Sequence, residues 1–302
     1  MALRERHGPH NVVAAGHHTP PGPELRDSGP FEYLDVTQRE SIERVVDQYQ
    51  IDTIYHMAAI LSAVGEAKPQ LCWNVNIDGL DNVLEIARQR KLRLFCPSSI
   101  AAFGPETPRE RTPQETVLRP RTMYGITKVA GELLCNYAAE RYGVDVRGVR
   151  YPGIISNVTP PGGGTTDYAV EIFYEAIREQ RYTCFVRPDT VLPMMYMPDC
   201  IQATLDLMAA DGSKLVHRAE YNLAAMSFSA SELAAEIQVH IPEVVVTYEP
   251  DPVRQAIADS WPQTIDDSAA RQEWGWQPRY DLARMTADML EKLRDRHRAG
   301  NL

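Results

Sequence analysis

Cysteine is scarce in this chain of 302 residues. The five cysteines are odd in number and scattered, and no two of them form a C-x-x-C pair (Cys72, Cys96, Cys135, Cys184 and Cys200). This pattern argues against a disulfide framework and favours reduced thiols in a cytoplasmic protein. The eight histidines also lack the spacing of metal ligands. We therefore expect no bound metal.

Long apolar runs and an excess of basic charge are missing as well. No stretch of about 18 apolar residues is present to cross a membrane, and no charged-then-apolar leader opens the chain. The formal net charge is −10, and an acidic chain does not attract nucleic acids or anionic membranes. We expect neither as a partner. With 44% hydrophobic residues, the chain can bury a large core as one extended domain or two closely packed ones.

Strand and helix patterns alternate through the first half of the chain. The residue patterns predict strands over 11–15, 31–36, 53–59, 92–96 and 146–151, and helices over 41–50 and 77–91. This alternation predicts right-handed β-α-β units and a parallel sheet, an α/β fold. The second half is less regular, with helices predicted over 167–180, 198–209 and 282–297 and a strand over 244–248. Ser229 followed by Glu232 predicts a capping box at the start of another helix.

A tyrosine and a lysine stand four residues apart, Tyr124 and Lys128, which places them on one face of a helix. An ammonium beside a phenol favours the phenolate, a base that can take a proton from an alcohol near neutral pH. Ser98 and Ser99 follow a predicted strand, at the edge where parallel sheets bind ligands, and a serine hydroxyl can hold the oxygen of that alcohol. Oxidation of a secondary alcohol needs these groups and a hydride acceptor. The spacing alone is also typical of a surface helix with a solvated lysine.

Further motifs give the chain a family resemblance. It resembles the extended short-chain dehydrogenases, a family that includes the nucleotide-sugar epimerases, and within it the L-threonine 3-dehydrogenases. The broad markers are 56–59 (HMAA), 74–76 (NVN), 97–99 (PSS), Tyr124 with Lys128, and 150–153 (RYPG). The narrow markers are 161–170 (PGGGTTDYAV), 193–200 (PMMYMPDC) and 258–262 (ADSWP).

The resemblance implies a Rossmann-like doubly wound parallel sheet. It implies a dinucleotide-binding domain over 1–155, intertwined with a mainly substrate-binding region over 156–302. The implied reaction is oxidation of L-threonine to 2-amino-3-oxobutyrate with hydride transfer to NAD, in a homodimer. Tyr124 would be the general base, Lys128 would support it and bind the nicotinamide ribose, and Ser99 would be the catalytic hydroxyl, with Ser98 as the near alternative.

The same resemblance assigns binding residues. The substrate would contact Ser62, Thr165 and Thr166. The cofactor would contact Asp35, Ala58, Ala59, Asn76, Tyr124, Lys128, Pro152 and Gly153. The residue types agree in part, because glycines 162 to 164 let backbone N–H groups approach a carboxylate and the threonine hydroxyls add donors. Asn76 could equally cap the helix that follows it, and the glycine segment could be an ordinary loop.

Two parts of the family pattern are missing. A dinucleotide fold opens with a strand and a glycine-rich turn that meets the pyrophosphate, and no G-x-x-G-x-x-G occurs in this sequence. We therefore expect the first strand and the phosphate cradle to be absent from this chain. No acid stands near Gly16 to bind the adenosine ribose, which leaves NAD against NADP open.

Two other functions are compatible with the same sequence. One is a nucleotide-sugar epimerase or dehydratase, for which only Arg187 is available to bind phosphate. The other is a non-catalytic homologue that has lost cofactor binding.

Overall fold

The computed structural model describes residues 1–162 and 164–302. The strands are β1 (Ala14–Gly16), β2 (Phe31–Tyr33), β3 (Thr53–Tyr55), β4 (Arg93–Phe95), β5 (Ser98–Ser99), β6 (Val146–Arg147), β7 (Val149–Tyr151), β8 (Gly153–Ile155), β9 (Arg181–Cys184), β10 (Val191–Tyr196), β11 (Tyr221–Asn222), β12 (Met226–Ser229) and β13 (Val245–Tyr248). The helices are α1 (Ala2–His7), α2 (Pro23–Asp27), α3 (Arg39–Tyr49), α4 (Ser62–Ala67), α5 (Pro69–Trp73), α6 (Gly79–Arg90), α7 (Met123–Tyr142), α8 (Tyr168–Arg178), α9 (Met197–Ala209), α10 (Ala230–His240), α11 (Pro252–Asp259), α12 (Ser268–Trp274) and α13 (Leu282–Arg298).

The strands form short, mostly parallel ladders. Parallel pairing gives the orders β1–β2, β3–β4–β6, β5–β7–β11 and β9–β13. In the fifth ladder β10 pairs parallel to β8 and antiparallel to β12. Helices connect the parallel strands, so the predicted α/β fold with a Rossmann-like parallel sheet is confirmed. Among the described residues, no hydrogen-bond register joins β1 or β2 to the ladder of β3, β4 and β6.

Several predicted elements differ from the observed ones at their ends. The strand predicted over 53–59 ends at Tyr55, and the His56 N–H makes a further hydrogen bond of 2.9 Å to the Phe95 carbonyl oxygen. The strand predicted over 146–151 is interrupted at Gly148, where the chain runs so close to its neighbours that a Cβ would lie 2.7 Å from the Ala219 carbonyl oxygen. A π-helical turn, Asn74–Asp78, precedes α6. The capping box at Ser229 and Glu232 is confirmed.

Helices cover the sheet on both sides. One cluster of buried side chains joins α3, α6 and α7 to the ladder of β4 and β6, and includes Ile42, Leu84 and Leu94. A second joins Phe95 and Val149 to side chains from α9 and from the segment after α12, and a third surrounds β10 between α8, α10 and α13. Side chains from both sides of residue 155 therefore share a core. Within the described residues, no helix has both the length and the apolar character of a membrane span.

Candidate active site

The N-terminus of α7 is fixed at the carboxyl edge of the sheet. The Thr122 hydroxyl oxygen accepts a hydrogen bond of 3.1 Å from the Gly125 N–H. The Glu66 carboxylate accepts one of 2.5 Å from the Met123 N–H. These two side chains satisfy donors that a helix start leaves free. They hold Tyr124, in the first turn, in a defined position.

The predicted tyrosine–lysine pair is brought together. The Lys128 Nζ lies 5.4 Å from the centre of the Tyr124 ring. The same ammonium donates a hydrogen bond of 2.7 Å to the carbonyl oxygen of Pro97, the residue that links β4 to β5. The positive charge therefore lies beside the phenol and is anchored from the neighbouring strand.

The two candidate serines differ in what their hydroxyls do. The Ser98 hydroxyl is buried and donates to the carboxylate of Glu132, one turn after Lys128 on α7. The Ser99 hydroxyl oxygen accepts a hydrogen bond of 3.2 Å from the Ala101 N–H, and this residue is half-buried. Side chains alternate across a strand, so Ser99 is directed away from Glu132. Among the described residues this hydroxyl donates no hydrogen bond, so its proton can be donated to a ligand oxygen.

Asn76 holds the loop that follows β3. It lies in the π-helical turn, and its Oδ1 accepts a hydrogen bond of 2.7 Å from the Ile60 N–H. Its Nδ2 donates to the Ile60 carbonyl at 3.1 Å and to the Thr127 hydroxyl at 3.0 Å. The side chain makes no capping bond to α6 in the described structure. It therefore ties the Ala58–Ala59 segment to α7, next to Lys128.

A small cleft lies between this loop and α7. The predicted cofactor residues Ala58, Ala59, Asn76 and Lys128 line it together with Pro97. The small alanine side chains let a ligand approach the backbone, and Lys128 supplies a cation. Four of the predicted cofactor residues are therefore brought together at one place beside α7.

The electrostatics of the cleft favour a neutral histidine beside the lysine. Burial lowers the pKa of His56, which follows β3, and the nearby Lys128 charge lowers it further, to about 4. Cys96 also lines the cleft, and its pKa is lowered by a hydrogen bond from Cys135 in spite of burial. The His56 imidazole is therefore uncharged at neutral pH and adds no second positive charge beside the Lys128 ammonium.

The glycine–threonine segment lies against the end of β7 and the start of β8. Thr165 is buried and Thr166 half-buried. A Cβ placed on Gly153 would lie 2.9 Å from the Thr166 Cγ2, so a residue predicted to line the cofactor contacts one predicted to bind substrate. Pro152, which precedes Gly153, is buried.

Backbone amides of the glycines in this segment already donate hydrogen bonds to an anionic side chain of the same loop. The Asp167 carboxylate accepts hydrogen bonds of 2.7 Å from the Gly162 N–H and 2.8 Å from the Gly164 N–H. Gly163 lies outside the described residues. The amides that were expected to approach a bound carboxylate therefore hold the loop to its own aspartate at two of the three glycines.

Ser62 begins α4, which packs against the start of α7. A Cβ on Gly65 of α4 would lie 3.8 Å from the Tyr124 Cβ, and Glu66 bonds Met123 as described above. Ser62 itself is half-buried. The helix that carries this predicted substrate residue is therefore adjacent to Tyr124.

Asp35 lies at the carboxyl end of β2, on a ladder separate from the strands that carry Ser98 and Ser99. Its carboxylate lies 3.3 Å from the His17 Nε2 and accepts a hydrogen bond of 2.9 Å from the Thr37 N–H. Burial raises the pKa of Asp35, but the bonds from Thr37 and His17 outweigh it and leave the pKa lowered. The carboxylate is therefore charged at neutral pH.

Arg187, the arginine considered for phosphate binding, has a carboxylate partner. Its guanidinium donates two hydrogen bonds to Asp259, of 3.0 and 2.8 Å, and its backbone N–H donates to Gln255 at 2.7 Å. Paired bonds of this kind are among the strongest that an arginine makes. In the part of the chain that the structure describes, no group of three or more His, Cys, Asp or Glu is placed to hold a metal ion.

A buried ion pair next to Ser98 could not be predicted from the sequence. Glu132 and Arg150 pair in the interior with an N–O distance of 2.8 Å. The one signal in the sequence was an acidic residue four positions after Lys128, on the helix face that packs on the sheet. Arg150 could not be linked to it from the sequence, because the two residues lie on different elements.

Comparisons with known proteins agree with this architecture. The model of the NAD dependent epimerase/dehydratase family matches residues 2–224. An uncharacterized epimerase/dehydratase of Staphylococcus haemolyticus is 53% identical over 296 residues, which cover 98% of this chain and 93% of that protein. The solved L-threonine dehydrogenase of Clostridium difficile is 52% identical, with a TM-score of 0.96 over 98% of this chain and 92% of that one. The holo form of a GalE-like L-threonine dehydrogenase from Cupriavidus necator is also 52% identical, with a TM-score of 0.94 over 97% and 94% of the two chains.

Proposed function

Because the chain belongs to the NAD dependent epimerase/dehydratase family, we propose that it oxidises L-threonine to 2-amino-3-oxobutyrate with hydride transfer to NAD. The observation that carries this proposal is the Lys128 ammonium, which lies 5.4 Å from the centre of the Tyr124 ring and is held there by the Pro97 carbonyl. Two L-threonine dehydrogenase structures, each 52% identical over nearly the whole chain, support the choice of substrate.

Each residue at the site has a separate role in the proposed reaction. Tyr124 takes the proton from the threonine hydroxyl, and its phenolate is stabilised by the Lys128 ammonium. Ser99 donates a hydrogen bond to the same substrate oxygen, while its own oxygen accepts from the Ala101 N–H. Bound NAD would supply the acceptor for the hydride that leaves the carbon carrying this oxygen. The products are a ketone, NADH and a proton held on Tyr124.

The cofactor residues fit the nicotinamide half of NAD. Ala58, Ala59 and Lys128 line the cleft, and Asn76 fixes the loop beside it. Pro152 and Gly153 would close the cleft from the far side, next to Thr166. Asp35 would contact the adenosine half. For the amino-acid head group we assign Ser62, Thr165 and Thr166, whose hydroxyls can donate to a carboxylate.

The pairing of Arg187 with Asp259 argues against a nucleotide-sugar substrate. A diphosphate would have to draw Arg187 away from Asp259, with which it shares two hydrogen bonds. An amino-acid substrate does not require Arg187 to leave Asp259, because hydroxyl donors are enough to bind its single carboxylate.

We further propose a homodimer formed through α7. Apolar side chains follow one exposed stripe of this helix at helical spacing, Ile126, Leu133 and Tyr137. Val64 on α4 and Leu71 on α5, helices that pack on α7, are exposed as well. A contiguous exposed apolar face is typical of a protein interface. We place the enzyme in the cytoplasm, because all five cysteines are free thiols.

An assay of NADH formation tests the proposal. The purified protein is given NAD with L-threonine, D-threonine, L-serine or UDP-glucose, and the L-threonine reaction is repeated with NADP. We expect NADH to appear with L-threonine and to exceed the signal from each other substrate. Epimerisation returns the hydride to the sugar and forms no net NADH, so the UDP-glucose reaction is followed by analysis of the sugar product. Epimerisation of UDP-glucose without NADH formation from L-threonine would replace the proposal with the epimerase function.

A further inference from the structure

Helix α7 forms hydrogen bonds with two consecutive residues, Pro97 and Ser98, at the neighbouring strand β5. Lys128 donates to the carbonyl oxygen of Pro97 at 2.7 Å, and Glu132 accepts from the hydroxyl of Ser98. Lys128 and Glu132 are one helical turn apart and share a face of α7. The Pro97–Ser98 segment is therefore bonded at two points to a single helix face.

Glu132 is itself fixed by Arg150. The guanidinium donates to both carboxylate oxygens of Glu132, at 2.9 and 2.8 Å, and both side chains are buried. Arg150 also donates to the Gln114 carbonyl and the Asn222 Oδ1, each at 3.1 Å. Every polar atom of the carboxylate thus has a partner, which a buried charge requires.

The sheet register explains why Ser98 and Arg150 meet the same carboxylate. Ser98 on β5 is the register partner of Arg150 on β7. Register partners of a parallel ladder project on the same face of the sheet, and α7 packs on that face. Ser99, the next residue, projects on the other face.

We propose that Ser98 and Glu132, with Arg150 behind them, are positioning residues that hold the Lys128 ammonium beside Tyr124. This inference rests on the proposed function for the identity of Tyr124 as the base. Loss of the Ser98 bond frees the Pro97 carbonyl to move, and the ammonium anchored on it moves as well. The Tyr124 phenolate then loses part of the stabilisation that the ammonium supplies.

Other titratable groups surround Lys128 and must be separated from this effect. They come from each neighbouring element, with His56 after β3, Glu66 on α4, Cys72 on α5, Cys96 after β4 and Glu132 on α7. Burial keeps the pKa of His56 near 4 and raises that of Cys72. The pKa of Cys96 is lowered by its bond with Cys135, so a bulk pH profile alone is not sufficient. The readout must report Tyr124 itself.

The test compares Ser98→Ala with Ser229→Ala. Ser229 is also a buried serine that exchanges hydrogen bonds with a glutamate, Glu232, at the start of α10. Tyrosine labelled at the ring carbon that bears the hydroxyl is titrated by NMR, and the Tyr124 signal is identified by its loss in Tyr124→Phe. We expect Ser98→Ala to move the titration midpoint of this signal upward by about half to one pH unit, and Ser229→Ala to leave it in place.

Activity gives the second readout. In Ser98→Ala the acidic limb of the kcat profile should move in parallel with the ring signal, with the threonine KM unchanged. Ser98→Cys keeps the shape of the side chain and every charge but donates a weaker hydrogen bond, so it should shift the midpoint in the same direction and provides a second variant if Ser98→Ala does not fold. An equal loss of thermal stability in Ser98→Ala and Ser229→Ala, with the Tyr124 midpoint unchanged in both, would overturn the inference. The ring titration needs no substrate, so absence of threonine turnover in the wild type would reject the proposed function and leave this test intact.

Discussion

Gly153 and Thr166 pack so closely that a side chain at position 153 would not fit between them. A Cβ on Gly153 would lie 2.9 Å from the Thr166 Cγ2 and would also meet the Met194 sulfur. The start of β8 and the glycine–threonine loop therefore share one surface, where the proposed cofactor and substrate sites adjoin.

Substitution of Gly153 by alanine should disturb both sites. Contacts under about 3 Å force neighbouring atoms to shift, and overpacking of this kind costs about 1–3 kcal/mol of folding stability. We expect Gly153→Ala to raise the threonine KM as the loop is displaced. The measurement is steady-state kinetics together with thermal unfolding. Gly22→Ala is the control, because a Cβ at that position meets nothing within 4 Å. An unchanged threonine KM in Gly153→Ala would show that Thr166 does not touch the substrate.

Thr166→Val should separate substrate binding from cofactor binding. The change replaces a hydroxyl by a methyl group of similar shape and removes one donor to the substrate carboxylate, a bond to a charged group of about 1.5–3 kcal/mol. We expect the threonine KM to rise by about tenfold or more, with a smaller change in the NAD KM. Equal effects on the two KM values would argue against a role of the loop in substrate binding.

His56 should make folding stability depend on pH. Its folded pKa of about 4 lies below the unfolded value of about 6.5, so the unfolded chain binds an extra proton between these values. The contribution of the neutral His56 to the free energy of unfolding is fully present above pH 6.5. It is lost as the pH falls toward 4, by up to about 3 kcal/mol. Denaturant unfolding at pH 7 and pH 5 measures the effect. His56→Gln should show a smaller loss over this interval than the wild type, and an equal loss in the two proteins would contradict the assignment of a buried neutral imidazole.

Leu133→Glu should yield a monomer. Leu133 has 65% of its surface exposed in the single chain and lies in the stripe proposed as the dimer interface. A charge buried in such an interface is costly unless it is paired. Sedimentation of the wild type should give a dimer mass and the variant a monomer mass. Val216→Glu is the control, because Val216 is exposed but is not part of this stripe. A monomeric wild type would reject the interface.

The parts of the structure that could be predicted are those in which local sequence and global fold agree. The alternating strand and helix patterns predicted the α/β fold, and Ser229 with Glu232 predicted a helix start that the structure reproduces. The spacing of Tyr124 and Lys128 predicted a shared helix face. In each case the signal lies within a few residues of the sequence.

The parts that could not be predicted depend on partners distant in the chain or on burial. Helices α4 and α5 are each six residues or fewer and carry too little periodicity to be recognised. The bond of Asn76 to Ile60 spans 16 residues, so a capping role was equally compatible with the sequence. The partnership of Ser98, Glu132 and Arg150 joins three elements and becomes evident only from the register of β5 and β7.

The most direct test of the account is the rate of threonine-dependent NADH formation in Tyr124→Phe, measured beside NADH binding. The variant keeps the ring and removes only the oxygen that takes the proton, and Tyr142→Phe on the same helix is the control. We expect the rate to fall by about 10²–10⁴-fold with NADH affinity nearly unchanged. A Tyr124→Phe enzyme that retains wild-type turnover would contradict the assignment of the base.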